Sequence, residues 1–239
     1  MRTNRQNHEM RDMTITANYT EYADSSILIT YGKTKVICTA FFEQRLPEFL
    51  QGKNSGWLTA EYNMLPSASP IRIKRDIQQG KMNGRASEIQ RLIGRSLRAC
   101  LNLELLYPYT IQIDCDVIQA DGGTRTASIT GAFIALMDCI QKKIKEKVLL
   151  ENPIQYYIGA ISVGIIKDTV LCDLQYSEDA IADTDLNVIM NDNYDFIEIQ
   201  GNAEKKAFTE QQLSVMLQYA KKAITHIIDM EKVHFNHQK

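Results

Sequence analysis

Paired cysteines are missing from this chain. Its five, Cys38, Cys100, Cys115, Cys139 and Cys172, are odd in number, widely spaced and each set in an apolar segment, with no CxxC among them. That excludes a disulfide scaffold or a zinc ribbon and leaves reduced core thiols. Long apolar runs are missing too: none approaches the roughly 20 residues of a membrane-spanning helix, and Met1 to Met13 is polar and charged rather than signal-like. The expected location is cytoplasmic, away from any membrane. Neither sign of charge dominates, with 27 Lys and Arg against 29 Asp and Glu and a net charge of −2, so the whole molecule is no electrostatic magnet for nucleic acid. Histidine is scarce. His8, His234 and His237 fall in terminal segments and His226 in the last helix; no Ser/His/Asp or Cys/His pairing suggests a covalent intermediate.

What is present is enough apolar residue, 44% of 239, to build one large or two small domains with an ample core. Charge is local rather than global. Between Arg72 and Arg98, eight basic residues (Arg72, Lys74, Arg75, Lys81, Arg85, Arg91, Arg95, Arg98) stand against Asp76 and Glu88, a local excess of six positive charges that would meet an anionic ligand.

The pattern along the chain mixes strands and helices. Ile27 to Tyr31 and Lys35 to Phe42 read as a hairpin around Gly32-Lys33-Thr34. Ile158 to Ile166 and Thr169 to Tyr176 form a similar hairpin. At a constant offset of 134 residues, Ile27, Lys33, Val36 and Cys38 match Ile161, Lys167, Val170 and Cys172, identities that fit an internal duplication and equally fit chance. Ala86 to Leu103 has helical periodicity, with Arg91, Arg95 and Arg98 at i, i+4 and i+7 making a cationic stripe opposite an apolar one. Thr110 to Val117 alternates as a half-buried strand and Thr126 to Lys143 is helical. Strands follow near Leu186 to Met190 and Phe196 to Gln200, then a helix from about Thr209, where Thr209 and Gln212 form a capping box; the tail after Met230 is expected to fray. The fold class expected is α+β with α/β-type β-α units, two similar halves (about 1–145 and 146–239) packed into a single domain.

Two constellations could carry chemistry. Asp121-Gly122-Gly123-Thr124-Arg125-Thr126 sits where a strand gives way to a helix. Two glycines permit close backbone approach, and the N–H groups of a first helical turn, the positive end of the dipole and a guanidinium together make a phosphate cradle. A capped tight turn is the plainer alternative, but a cation at a helix start is disfavoured unless an anion joins it. No Gly-Lys-Ser/Thr follows, so this is not a P-loop. The second constellation is five carboxylates in 13 residues, Asp173, Glu178, Asp179, Asp183 and Asp185. They fit a solvated acidic loop, or a site for Mg²⁺ or Mn²⁺ if strand-like packing buries them, with Asp183 and Asp185 on one strand face. Trp57 and Tyr62 are either an aromatic platform for bases or core residues.

Several of these segments, taken together, resemble the ribonuclease PH family over nearly the whole chain. They are Gly56-Trp57-Leu58-Thr59-Ala60-Glu61-Tyr62-Asn63-Met64-Leu65-Pro66; Glu88-Ile89-Gln90-Arg91-Leu92-Ile93-Gly94-Arg95-Ser96-Leu97-Arg98; Ile113 to Ser128; Cys172-Asp173-Leu174; Glu178-Asp179; Asp183-Thr184-Asp185-Leu186-Asn187-Val188; and Glu198-Ile199-Gln200-Gly201. The resemblance implies two β/α halves like the second domain of ribosomal protein S5, assembled as a homohexameric ring, a trimer of dimers. It implies phosphate-dependent 3′ to 5′ trimming of RNA, especially tRNA precursors beyond the CCA end and in addition rRNA, with reversible nucleotidyl transfer. Inorganic phosphate, the co-substrate, is then held by Arg85, Gly123, Thr124 and Arg125. Asp179 and Asp185 are the catalytic, metal-binding pair, and Arg72, Arg75 and Arg91 contact RNA. Ser67 stands where the family often has arginine, and Asn202-Ala203-Glu204-Lys205 where relatives read Thr-Ala-Glu-Gly. A metal-dependent hydrolytic exonuclease and an inactive RNA-binding ring subunit are the alternatives.

Overall fold

A computed structural model describes residues 2, 5–75, 80 and 83–236; Asp76, Lys81 and His237 lie outside the described residues. Five strands form the first sheet in the order β1-β2-β3-β5-β4: β1 (Met13–Ala17), β2 (Ser25–Tyr31), β3 (Thr34–Glu43), β4 (Trp57–Met64) and β5 (Thr110–Gln119). Neighbours are antiparallel except β4 and β5, which pair in parallel. A parallel pair needs a crossover, and helix α1 (Gly84–Ala99) supplies it, packed on β4. The second sheet is antiparallel, β7-β6-β8-β9, from β6 (Ile158–Ile166), β7 (Thr169–Cys172), β8 (Thr184–Asn191) and β9 (Phe196–Ala203).

Helix α2 (Thr124–Lys145) lies between the sheets, packing on β2, β3 and β5 and on β6 and β8. Fifteen of its residues are buried, from Thr124 to Ile140, which is why its sequence is apolar almost all round. The short α3 (Tyr176–Asp179) joins β7 to β8, and the long α4 (Glu210–Asn236) packs on β6, β7 and β8. Strand β6 is therefore covered on both faces: the Ala160 N–H donates to Thr130 Oγ1 of α2, while Gly159 faces Ile224 and Ile227 of α4. That accounts for its near-continuous apolar sequence, broken by the buried Ser162, which alternation would not produce. One hydrophobic core extends through both sheets.

The mixed architecture agrees with the expected α+β class, and all five cysteines are buried and free. Several boundaries move. Helix α1 starts two residues before the expected Ala86, because the Asn83 side chain accepts from the Arg85 N–H and caps it, and ends at Ala99 rather than Leu103. The strand read as Thr169 to Tyr176 stops at Cys172, since Asp173 takes a left-handed φ of 53° and turns the chain into α3. The Thr209–Gln212 capping box forms, at 2.9 and 3.2 Å. The tail after Met230 does not fray: α4 runs to Asn236 because Glu231 and Phe235 are buried. Both hairpins exist, but Ile27 pairs with Cys38 whereas Cys172 pairs with Val163, two residues from the position that a constant offset would give.

Candidate active site

Helices α1 and α2 begin with the same device. Each carries an arginine at its second position, Arg85 and Arg125, and neither has an acidic residue in its first turn. Unpaired N–H groups and the dipole already make such ends attractive to anions, and acidic residues are what usually balance them. The start of α2 is shaped by Gly122 and Gly123 at φ 77° and 65°, Gly123 being the left-handed N-cap with no side chain closing the turn. A Cβ on Gly122 would lie 2.2 Å from the Leu174 carbonyl oxygen, so the turn is pressed against the segment leading into α3. The Tyr176 N–H, the first of α3, donates to Asp121 Oδ1 at 3.3 Å. Asp121 thereby links the glycine turn to α3.

Asp179 ends α3 and Asp185 lies at the start of β8. Desolvation raises the pKa of both carboxyls. At Asp179 it works against Arg85 and Arg125, which favour the charged form, and with Glu204, which does not. At Asp185, burial and then the Asp179 charge push the pKa up to about 6, opposed by Arg125 and Arg85. Four residues expected at the site, Arg85, Arg125, Asp179 and Asp185, are thus close enough to act on one another. Thr124 lies beside Arg125 in sequence, but its hydroxyl is taken up by the core, accepting from the buried Tyr62 hydroxyl at 2.9 Å. Arg125 is held by Glu88 at 3.1 Å, and Glu88 accepts in turn from the Gln200 amide at 2.9 Å. The Arg125 Nε and Asp185 Oδ1 are both buried without a hydrogen-bond partner among the described residues. A buried, unpartnered carboxylate oxygen with a second carboxylate beside it is the donor set that a hard divalent cation fits. The cavities of about 700 and 370 Å³ lined by Leu101 and Glu104 and by Tyr157 and Phe235 share no residue with this cluster.

Other expectations are corrected. Of the five carboxylates, Asp173 and Glu178 are neutralised by the chain's own arginines rather than left for a metal. Asp173 is gripped by Arg11 at 2.7 Å and Arg5 at 3.2 Å, Glu178 by Arg2 at 2.6 Å and Arg5 at 3.3 Å. Asp183 does not share a strand face with Asp185: β8 starts at Thr184, and Asp183 accepts from the Lys167 N–H instead. The cationic stripe of α1 is divided. Arg95 pairs with Glu198 at 2.7 Å, and Arg98 turns inward, 4.5 Å from the Trp57 ring centre and donating to the Leu58 carbonyl. Arg91 is exposed and bonds back to the Ser87 carbonyl, and Arg72 and Arg75 are exposed on the coil after β4. None of these three is among the leading charges acting on the aspartates. Tyr62 is 2% exposed and offers no platform for a base.

Sequence reasoning missed the N-terminal arginines Arg2, Arg5 and Arg11. Their only signal was local, three arginines between positions 2 and 11 of a polar, charged start; Asp173 and Glu178, the carboxylates they hydrogen-bond, lie more than 160 positions away.

Family models for the 3′ exoribonuclease family match in chain order, domain 1 (RNase PH) over residues 9–140 and domain 2 over 156–223. Among solved structures, rice (Oryza sativa) Rrp46 superposes with a TM-score of 0.78 at 14% identity, over 96% of this chain and 97% of that one. An Archaeoglobus fulgidus exosome with RNA bound to the active site gives 0.78 at 19% identity, covering 98% and 91%. An archaeal exosome core gives 0.75 at 17%, covering 95% and 89%. With the fold, both domain models and the converging arginines and aspartates in agreement, this chain belongs to the ribonuclease PH family of 3′ exoribonucleases.

Proposed function

We propose that this protein is a phosphorolytic 3′ to 5′ exoribonuclease that uses inorganic phosphate to remove nucleotides from RNA 3′ ends as nucleoside 5′-diphosphates. The observation that carries the reading is the pairing of two helix N-termini, each armed with an arginine at its second position, with two aspartates of raised pKa. Cations and carboxylates in one cluster suit a reaction in which two phosphates must approach each other. Arg85, Arg125 and the N–H groups from Gly123 onward hold inorganic phosphate. One of its oxygens attacks the phosphorus of the terminal phosphodiester. The bond from that phosphorus to the 3′ oxygen of the preceding nucleotide breaks, the 3′ oxygen takes a proton, and the new P–O–P linkage leaves as the diphosphate. Because phosphate replaces water, the step also runs backwards, extending RNA from diphosphates. Asp179 and Asp185 would hold Mg²⁺ or Mn²⁺, which supplies charge neutralisation for the transferring group. Arg72, Arg75 and Arg91 contact the RNA strand, their exposure leaving them open to phosphates.

The finer reading follows the family resemblance: tRNA precursors trimmed beyond the CCA end and rRNA as a further substrate, by a homohexamer assembled as a trimer of dimers in the cytoplasm. The similarity to an exosome with RNA bound to its active site supports the RNA element of it, and no helix among the described residues is long and apolar enough to cross a membrane. The test is incubation of a tRNA with a 3′ extension and Mg²⁺, with and without phosphate. Diphosphates released only with phosphate support the reading. Monophosphates released regardless of phosphate establish a hydrolase, and no release an inactive ring subunit. Removing one aspartate costs transition-state charge stabilisation, so Asp185→Ala is expected to lower kcat at least about 100-fold. An Asp185→Ala protein with undiminished phosphorolysis overturns the assignment.

A further inference from the structure

We infer that Arg11 is a positioning residue that fixes the phosphate turn against the aspartate-bearing helix, the N-terminal segment acting as a clamp across the active site. The inference rests on the function proposed above. Arg11 is 9% exposed and its guanidinium bonds both the segment leading into α3 and the glycine turn before α2. On one side Nε and Nη2 donate to the two oxygens of Asp173, at 2.8 and 2.7 Å, and the Arg11 backbone N–H donates to Asp173 Oδ2 at 2.7 Å. On the other, Nη1 donates to the Asp121 carbonyl and Nη2 to the Gly122 carbonyl at 3.3 Å. Thr34, fully buried, doubles the second set: its hydroxyl donates to the Gly122 carbonyl at 2.7 Å and accepts from the Asp121 N–H at 3.0 Å.

These bonds have a geometric consequence. In a trans peptide the C=O and the following N–H point in opposite directions. Tying the Asp121 and Gly122 carbonyls back to Arg11 therefore turns the N–H groups of Gly122 and Gly123 away from it, as the left-handed φ of both glycines requires. At the other end, Asp173 holds its own left-handed φ of 53° six residues before Asp179, a conformation that a non-glycine residue keeps only when its surroundings enforce it. Arg2 and Arg5 extend the clamp along α3, bonding the Asp173 carbonyl at 3.3 and 2.6 Å and Glu178, the residue before Asp179. One side chain thus sets the spacing between the turn that takes phosphate and the helix that carries Asp179. Lysine cannot replace it, because a single ammonium lacks the fork that spans carboxylate and carbonyls.

The test compares full-length wild type with Arg11→Lys, Thr34→Val and Thr34→Ser. Phosphorolysis is measured against phosphate concentration, and amide hydrogen exchange is followed in segments 120–126 and 173–180. Arg11→Lys is expected to raise the KM for phosphate about tenfold, with kcat at saturating phosphate changed far less, and to speed exchange in both segments together. Thr34→Val, which leaves no unpaired charge and so keeps the test valid if Arg11→Lys does not fold, should shift KM in the same direction, and Thr34→Ser should restore it. An unchanged KM in folded Arg11→Lys or Thr34→Val, or faster exchange in only one segment, overturns the clamp. If wild type itself shows no phosphorolysis, the proposed function fails, and the exchange result alone then decides the clamp.

Discussion

Asp173 and Asp185 lie 12 positions apart, and the fold gives their carboxyls opposite electrostatic fates. Burial pushes both upward, but at Asp173 the hydrogen bonds and charge of Arg11, with Arg5 behind, overcome it and hold the group below the usual carboxylate range. Arg11 is raised in turn, its burial outweighed by the bond and charge of Asp173. The pair is therefore ionised in the folded protein, and a depressed carboxyl contributes stability that is present above its unfolded pKa and lost as pH falls through its folded value. Asp173→Asn leaves Arg11 buried without its counter-charge, which costs about 3–5 kcal/mol. Urea unfolding at pH 7 should show that loss, and the gap to wild type should narrow as pH falls below the ordinary aspartate value of about 3.9; a gap independent of pH would refute the ion-pair account. Sequence could not separate the two aspartates. It showed that carboxylates were clustered and pointed to Asp183 with Asp185; the pair Asp179 and Asp185 came from the family resemblance. It could not show that the cations facing Asp173 and Glu178 come from residues 2 to 11, since a partner 162 positions distant leaves no local pattern.

Elements were most legible where burial on one face imposed a period. The alternation of β5 and the stripe of α1 placed both, with ends that moved by a few residues because caps, not periodicity, decide where a helix stops. Strand β4 also alternates, Leu58, Ala60 and Tyr62 being buried, yet its residues read as a motif before they read as a strand, and β1, only five residues long, carried too little pattern to stand out. The glycine turn was legible as the start of a helix, but not the difference between its two glycines. A Cβ on Gly122 meets the Leu174 carbonyl oxygen at 2.2 Å and Gln175 backbone atoms at 2.8 Å, which cannot give way without moving α3. A Cβ on Gly123 meets nothing nearer than the Arg11 Nη2 at 3.2 Å. Both positions charge an alanine about 1–2 kcal/mol for the left-handed φ, and only Gly122 adds a backbone clash. Gly122→Ala is accordingly expected to lower the melting temperature by several degrees more than Gly123→Ala and to abolish phosphate-dependent activity. Equal losses in thermal melts of the two variants would show that φ alone matters at this turn.

The last turns of α4 matter to the whole molecule rather than to the helix. Phe235, 2% exposed, closes the core beside Tyr157, whose ring lies 6.2 Å away and itself meets Phe133 of α2 at 5.7 Å. Glu231, one turn earlier, is fully buried, with neither carboxylate oxygen hydrogen-bonded among the described residues. Its charge reaches Tyr31 in the first sheet and Cys100 beyond α1, so this carboxyl sits where the packing of both sheets is felt. Polarity in the sequence suggested a fraying tail, because Glu231, Lys232, His234 and Asn236 outnumber the two apolar residues between them. The burial of Phe235 and Glu231 overrides that expectation. Desolvation first, and then Asp192, raise the Glu231 pKa well above its ordinary value, with Lys232 opposing. A raised carboxyl makes the fold take up a proton that the unfolded chain releases, so stability falls as pH rises above the ordinary glutamate value of about 4.3. Glu231→Met keeps the volume and removes both the buried polar group and the titration, and should stabilise the protein by about 1–3 kcal/mol at pH 8 and by less at pH 5. Urea midpoints of the two proteins at both pH values decide it. A variant no more stable than wild type at pH 8 would show that the buried carboxyl is satisfied, as a buried water bridging it would do, and refute the account of it as an uncompensated group.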